Sequence, residues 1–419
     1  MGMKGKILAV LAGVAMVAAV AVTTASGATK ADGITSSSIT IGGTFPLTGV
    51  ASLYKTIPAA EKAYFDYLND TKGGVNGRKI NFIIKDDAYS PAQTVPLAQQ
   101  LVESDKVFAV FGSLGTAPGL ATWDYLNQKK VPQLFLATGD SYWGYCHYSK
   151  CAGQARKHNY TIGWQPDYPG EARIYGKQIA AQYGSNKIGV LYQNDAFGKN
   201  YYNGLRAGLG AKRSNIVDAE TYDATQTNVT QQILTLKSKG AEVFVIFATP
   251  SQAITALVTA TKVGWSRPAT FVGNISANRL FMLSALSNGG DLTNVISSSY
   301  VKSPTVDKNS AGMQLAAQIL AKYAPSLMPS FNQGDSNITY GLGVAWTFAY
   351  ALGKAGKNPT RATLMKSVEN MNTRANPFLP EGFVEKTGKH DAFPLEQLQM
   401  IKWSGSDWQP FGPVLTGVK

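Results

Sequence analysis

A chain of 419 residues is longer than one hydrophobic core usually serves, so two domains are the first expectation. Its 39 basic residues outnumber 26 acidic ones, a formal net charge of +13. Lysine and arginine are scattered instead of clustered, which argues for a solvated basic surface and against a nucleic-acid partner.

The first residues bear on the compartment. MGMKGK carries two lysines, ILAVLAGVAMVAAVAV is apolar, and TTASGA places small residues where a signal peptidase reads, so residues 1–27 are predicted to be a cleaved secretory signal. The apolar run is roughly 16 residues, short of the ~20 that a membrane-spanning helix needs. No cysteine lies near the cleavage site, so a lipid anchor of the lipoprotein type is not expected, and the predicted location is the periplasm. Cys146 and Cys151 enclose HYSK. In an oxidising compartment this spacing predicts a small disulfide loop instead of a metal site, because only His147 and His158 lie nearby and a structural zinc takes about four ligands.

From residue 38 strands and helices alternate. SITIGGTF, KINFIIKDD, VFAVFGS and VPQLFLAT read as strands, with helical periodicity in IPAAEKAYFDYLND, AQTVPLAQQLVES and GLATWDYLNQ between them. In the first helix Ala60, Ala63, Tyr64, Tyr67 and Leu68 share one stripe, leaving Lys62, Asp66 and Asp70 outside. This alternation predicts a parallel sheet covered on both faces. YTIGWQPDYPG, with two prolines and two glycines, interrupts it. A second α/β series then follows, from YPGEARIYGKQIAAQYG through KIGVLYQND and EVFVIFAT to ATFVGNIS. After VISSSYVKS come helical stretches, including the long NITYGLGVAWTFAYALGKAG, and the tail segments LEQLQMIKW and WQPFGPVL read as a closing hairpin. Two similar lobes with a cleft between them are therefore expected.

Glycines 42, 43, 73, 74 and 77 read as turn residues. The stretch FGSLGTAPG, residues 111–119, follows a strand and opens a helix without a single charge. Two readings stay open: a tight turn alone, or a helix N-terminus whose free N–H groups and dipole await an anion. Its place at a strand's carboxyl end favours the second as much as the first.

Enzyme signatures are missing. There is no G-x-S-x-G, H-E-x-x-H, Walker-type loop or G-x-G-x-x-G after a strand. His147, His158 and His390 read as surface residues, and Asp86 and Asp87 as strand-end carboxylates capping the next helix. No catalytic residue, cofactor or metal is expected, and a binding module is favoured over an enzyme.

GGVNGRKINFIIKDDAYSPAQTV, VFAVFGSLGTAPGLATWDYLNQKKVPQLF and KIGVLYQNDAFGKNYYNGLRAGL resemble, in that order, the leucine/isoleucine/valine-binding protein family, solute-binding components of amino-acid-type ABC importers. The resemblance implies an α/β type I periplasmic-binding-protein fold: two Rossmann-like lobes with parallel sheets, joined by a three-segment hinge. Crossings are implied near residues 163–166, 295–300 and 378–381, with one lobe formed by 38–164 and 299–379 and the other by 165–298 and 380–419. It also implies that Gly115 and Thr116 hold a ligand carboxylate, with Ser113 a further ligand-binding residue, that Ala137, Thr138 and Gly139 supply a second set of contacts, and that Tyr54 and Tyr340 are pocket aromatics. Phe197, Thr249 and Asn274 are the implied contacts from the second lobe.

One departure matters. Family members that bind α-amino acids place a carboxylate in the strand end matched by FVGNISANR, and this stretch has Asn274 and Ser276 but no acid. Either Asn274, carbonyls or Asp195 pair an ammonium here, or the ligand has none and is an apolar or aromatic carboxylate or a neutral amide. The implied partners are a small-molecule ligand and ABC permease subunits, with the protein a monomer. A sensor domain for a receptor is the alternative output.

Overall fold

The computed structural model describes residues 32–149 and 158–416. The predicted signal, residues 1–27, and Cys151, the predicted partner of Cys146, lie outside the described residues.

The first half runs β1 (Ser38–Phe45), α1 (Thr56–Thr71), β2 (Lys79–Asp86), α2 (Pro91–Glu103), β3 (Ala109–Phe111), α3 (Thr116–Gln128), β4 (Gln133–Leu136), α4 (Tyr142–Tyr148) and β5 (Thr161–Gly163). All strands pair in parallel, in the order β2-β1-β3-β4-β5. Ala60, Ala63 and Tyr64 bury the stripe of α1, while Lys62 pairs with Asp66 on its exposed side at 2.7 Å. Phe65 of α1 meets Phe111 of β3 with ring centroids 5.5 Å apart. Gly42 and Gly43, expected in turns, lie inside β1. A Cβ on Gly43 would stand 2.3 Å from the Phe111 carbonyl oxygen, so close strand packing, not turn geometry, selects glycine there.

The second half runs α5 (Tyr168–Gln182), β6 (Ile188–Gln193), α6 (Ala196–Leu209), β7 (Ile216–Tyr222), α7 (Thr230–Ser238), β8 (Val243–Phe247), α8 (Pro250–Lys262), β9 (Ala269–Val272), α9 (Arg279–Ser287) and β10 (Val295–Ser299). Every residue of β8, VFVIF, is buried, as a central strand covered on both faces requires. The remaining elements are α10 (Ala311–Tyr323), α11 (Met328–Asn332), α12 (Ser336–Lys354), α13 (Arg361–Val368), the small ladder of β11 (Asn372–Thr373) and β12 (Glu385–Lys386), and the hairpin β13 (Gln397–Trp403) with β14 (Trp408–Thr416). The second sheet has the order β14-β13-β10-β9-β8-β6-β7, parallel as far as β10 and antiparallel through the hairpin.

The chain passes between the two layered sheets three times. It leaves the first sheet after β5 and enters α5, which packs on α6; after β10 it returns to place α10 and α12 against α1; it then crosses back to β13. Buried Trp164, just past β5, ties two of these passages together: its indole Nε1 donates to Glu385 Oε1 at 2.7 Å and to Thr347 Oγ1 at 3.0 Å.

His147 and His158 are corrections to the surface reading, each being 1% exposed. α4 folds His147 inward, where Nδ1 meets the Thr161 carbonyl at 2.8 Å and Nε2 meets Glu369 at 2.9 Å. His158 stacks on Trp123 with centroids 3.6 Å apart and meets Asp124 at 2.7 Å. Both rings are packing and bonding elements of the core. Asp86 does not reach the following helix; it accepts from Leu47 N, Thr48 N and the Thr48 hydroxyl, whereas Asp87 does bond Thr94 Oγ1 inside α2.

Candidate functional site

Residues just beyond the carboxyl ends of strands in both sheets surround one cavity of about 280 Å³, close to the lower edge of the ~300–1,000 Å³ of small-molecule pockets. Leu114 and Gly115 reach it from β3, Ala137 from β4, Gln165 from β5, Phe197 from β6 and Thr249 from β8. This is where an open parallel sheet binds ligands, because successive loops diverge there and leave helix N-termini facing the gap. Hydrogen bonds span the gap. Tyr54 Oη donates to the Ile275 carbonyl at 3.0 Å, Asn200 Nδ2 to Asp140 at 3.2 Å, and Asn278 Nδ2 to Asp335 at 2.6 Å.

A family model described as periplasmic binding protein matches residues 38–404. The chain belongs to the periplasmic binding protein family. A Leu/Ile/Val-binding protein homolog 7 of Brucella abortus is 24% identical over 245 residues, which are 57% of this chain and 59% of that protein. The chain thus spans less than two thirds of the curated relatives it matches. Among solved structures, a branched chain amino acid ABC transporter protein from Thermus thermophilus with bound valine superposes with TM-score 0.78 at 18% identity, covering 90% of this chain and 96% of that one. A fatty acid ABC transporter substrate-binding protein from Thermomonospora curvata gives 0.73 at 18%, covering 93% and 95%. At these identities the likeness is one of fold, that of type I periplasmic binding proteins, with mixed α/β layers and parallel sheets. Family membership implies an extracytoplasmic location, and no described helix is long and apolar enough to cross a membrane.

Seven of the positions singled out in this periplasmic binding protein line the cavity: Tyr54, Gly115, Ala137, Phe197, Thr249, Asn274 and Tyr340. The other four do not. Ser113 lies beneath the turn, its hydroxyl accepting from Thr44 N at 3.1 Å. Thr116 and Thr138 are each 1% exposed and bond each other, hydroxyl to hydroxyl, at 2.5 Å. Thr138 and Gly139 face a separate small recess beside Asp140 and Asp167. Gly115 has φ 108° and caps α3, and a Cβ there would stand 2.5 Å from the Tyr89 ring, so only glycine fits. The first turn of α3 carries no acid and no side-chain cap, and its N-cap residue, Gly115, lines the cavity.

Charge in the wall is arranged differently from the reading of FVGNISANR. The Asn274 side chain donates to the Ser298 carbonyl, and Asn274 N donates to Glu171 Oε1 at 2.7 Å. Glu171, on α5, also accepts from Tyr175 Oη at 2.6 Å and Tyr201 Oη at 2.7 Å. Burial pushes its carboxyl above the usual range despite these donors. Glu171 is the acid that the sequence reading did not find, and it stands behind the wall as its support. Asp195 caps α6 through Gly198 N at 3.2 Å and accepts from Gln193 Nε2 at 2.7 Å. The acids that do line the cavity are Asp307, in the segment between β10 and α10, and Glu381, between β11 and β12. Thr249 has its hydroxyl on Gln252 Oε1 at 2.6 Å. Around Tyr54, Tyr89, Tyr168 and Phe197 the wall is aromatic. Tyr168 and Phe197 meet edge-on at 5.2 Å, and both are buried.

Proposed function

We propose that this protein is the solute-binding component of an ABC importer, without catalytic activity, which closes over an apolar carboxylate lacking an ammonium and delivers it to permease subunits. The carrying observation is the cavity itself: strand ends of both sheets wall it, the uncapped N-terminus of α3 meets it at Gly115, and the segments bearing Gly115, Thr249 and Asn274 contribute no acid to its lining. A zwitterionic amino acid placed with its carboxylate on α3 would bring its ammonium to Asn274, whose NH2 donates to the Ser298 carbonyl and whose Oδ1 offers a neutral acceptor but no counter-charge. Because each half contacts only part of the solute, ligand favours the closed form by its differential affinity for it. The family and the structural neighbours named above support transport as the output over sensing.

A matched trio tests the reading by calorimetry: isocaproate, its amide isocaproamide, and leucine. Isocaproate is expected to bind, and at a hundredfold excess over its dissociation constant to stabilise the protein by about 2.7 kcal/mol. Leucine binding more tightly than isocaproate would refute the absence of an ammonium site. The amide matching the acid would refute the anion site at α3.

A further inference from the structure

The cavity does not stop where an amino-acid-sized solute would end. Thr249 follows β8, Asn274 follows β9, Ser299 ends β10, Gln399 lies on β13 and Val414 on β14, and all five line it. These five strands are successive neighbours in the second sheet, and Ser299, Gln399 and Val414 are directly paired across it. Four inter-strand spacings of ~4.8 Å make this wall roughly 19 Å long. An extended chain advances ~3.3–3.6 Å per three bonds, or about 1.2 Å per bond, so the wall matches about 16 bonds. Leucine, at about five bonds from carboxylate to methyl, fills roughly 6 Å of it.

The far half is apolar where the solute would pass. Tyr300, Val301, Phe383, Ile401 and Trp408 line it, and Gln399 and Ile401 share one face of β13 because buried Leu398 and Met400 take the other. Two of the few large apolar side chains exposed among the described residues, Val306 and Val414, each 43% exposed, stand on its rim. Arg279, which also lines the cavity, bonds the Ser406 carbonyl in the hairpin turn at 2.9 Å and approaches Asp407 at 3.3 Å. Asp307 and Glu381 line the cavity against a single lining cation among the described residues, Arg279, which is itself paired with Asp407, so the lining outside α3 carries an excess of negative charge and a carboxylate head belongs at α3.

Building on the reading above, we infer that the solute is an unbranched long-chain carboxylate whose chain runs from Gly115 along the strand ends onto the face of the β13–β14 hairpin. The test measures dissociation constants for straight-chain carboxylates from four to eighteen carbons, each below its micelle concentration, in the full mature protein. Affinity should rise about fourfold per added methylene, the ~0.8 kcal/mol of burying one CH₂, and level off near 16 carbons. Ile401→Trp, at the β13 position three strand spacings along the wall, should bring the plateau down to about 12 carbons or fewer, and Val414→Trp, at the exposed rim position on β14 at the end of the wall, should lower it by less. Flat affinity across the series, with short acids bound, would overturn the long-chain assignment and leave the carboxylate reading standing. A rise that neither variant truncates would overturn the route over the hairpin. If no acid of any length binds while leucine or isocaproamide does, the carboxylate reading falls and this inference falls with it.

Discussion

Glu171 is the residue whose removal most directly tests how the cavity wall is supported. Glu171→Ala strips the acceptor from three donors at once, Tyr175 Oη, Tyr201 Oη and Asn274 N, held at 2.6–2.7 Å. An orphaned buried donor costs about 1–3 kcal/mol. Tyr175 loses least, because its hydroxyl also lies 3.2 Å from the Val272 carbonyl and near the hydroxyls of Ser297 and Ser298. Relief from burying a carboxylate, visible in its raised pKa, offsets part of the remainder. The net expectation is a loss of roughly 2–5 kcal/mol for Ala. Glu171→Gln keeps one oxygen for Tyr175 and Asn274 and asks only that the Tyr201 hydroxyl turn and accept, so it should cost about 0.5–1.5 kcal/mol. Urea unfolding followed by fluorescence reads this as a midpoint shift on the order of 1 M for Ala and a fraction of that for Gln. Because Asn274 N is anchored by the same carboxyl, solute affinity should fall about tenfold in Glu171→Ala and less in Glu171→Gln. An alanine variant as stable as the parent, or a glutamine variant as damaged as alanine, would refute the picture of an acid that acts through three donors.

Three other outcomes follow from the geometry. Gly115→Ala forces an L-residue to φ 108° and drives its methyl into Tyr89, so about 1–3 kcal/mol of stability and at least tenfold in affinity should be lost; parental values in both assays would reject the cap geometry. Tyr54→Phe removes a bond that spans the two halves, which should weaken solute roughly two- to tenfold in calorimetry with little effect on urea unfolding, and an unchanged dissociation constant would show that the bond does not favour closure. Burial pushes Asp140 to about 6, and Asp167 and Glu385 each to about 7. Each raised carboxyl adds stability that is fully present below the unfolded-state range near pH 4 and is lost as pH rises through its folded value. Unfolding free energy should therefore climb on acidification from pH 8 to 5, by at most about 1.4 kcal/mol per pH unit per group, and Glu385→Gln should flatten the climb; a fall in stability over that window in the parent would refute the assignment.

What the sequence showed and what it hid divide along a physical line. Alternating strand and helix patterns locate β1, β8, α12 and the closing hairpin because each pattern is local, set by which side chains face a core within a few residues. Six of the seven predicted positions that line the cavity sit at or next to the end of an element, where fold logic alone sends a side chain into the cleft, and the seventh, Tyr340, lies just over one turn into α12. Glu171 escaped because a charged residue in YPGEARIYG is taken as solvent-facing, although it lies on the helix stripe of Ile174 and Tyr175 that turns out to be buried. Glu61 escaped for the same reason. It is fully buried beside the recognised stripe of α1, neither oxygen has a hydrogen-bond partner, and burial raises its carboxyl well above the usual range.

The hairpin half of the cavity was hidden for another reason. LEQLQMIKW and WQPFGPVL announce two strands, but not which neighbour they join or in which register. Ser299 pairs with Gln399 across a hundred residues of sequence, and a slip of one position would turn Gln399 inward and Leu398 and Met400 out of the core. The burial of Leu398 and Met400, at 1% and 2% exposure, against a half-buried Gln399 fixes that register energetically. Apolar packing on one face of β13 therefore decides what its other face offers to a solute. Local patterning suffices to predict a cleft between two sheets, whereas its length, and with it the size of the molecule it holds, is set by a long-range pairing that only the folded chain displays.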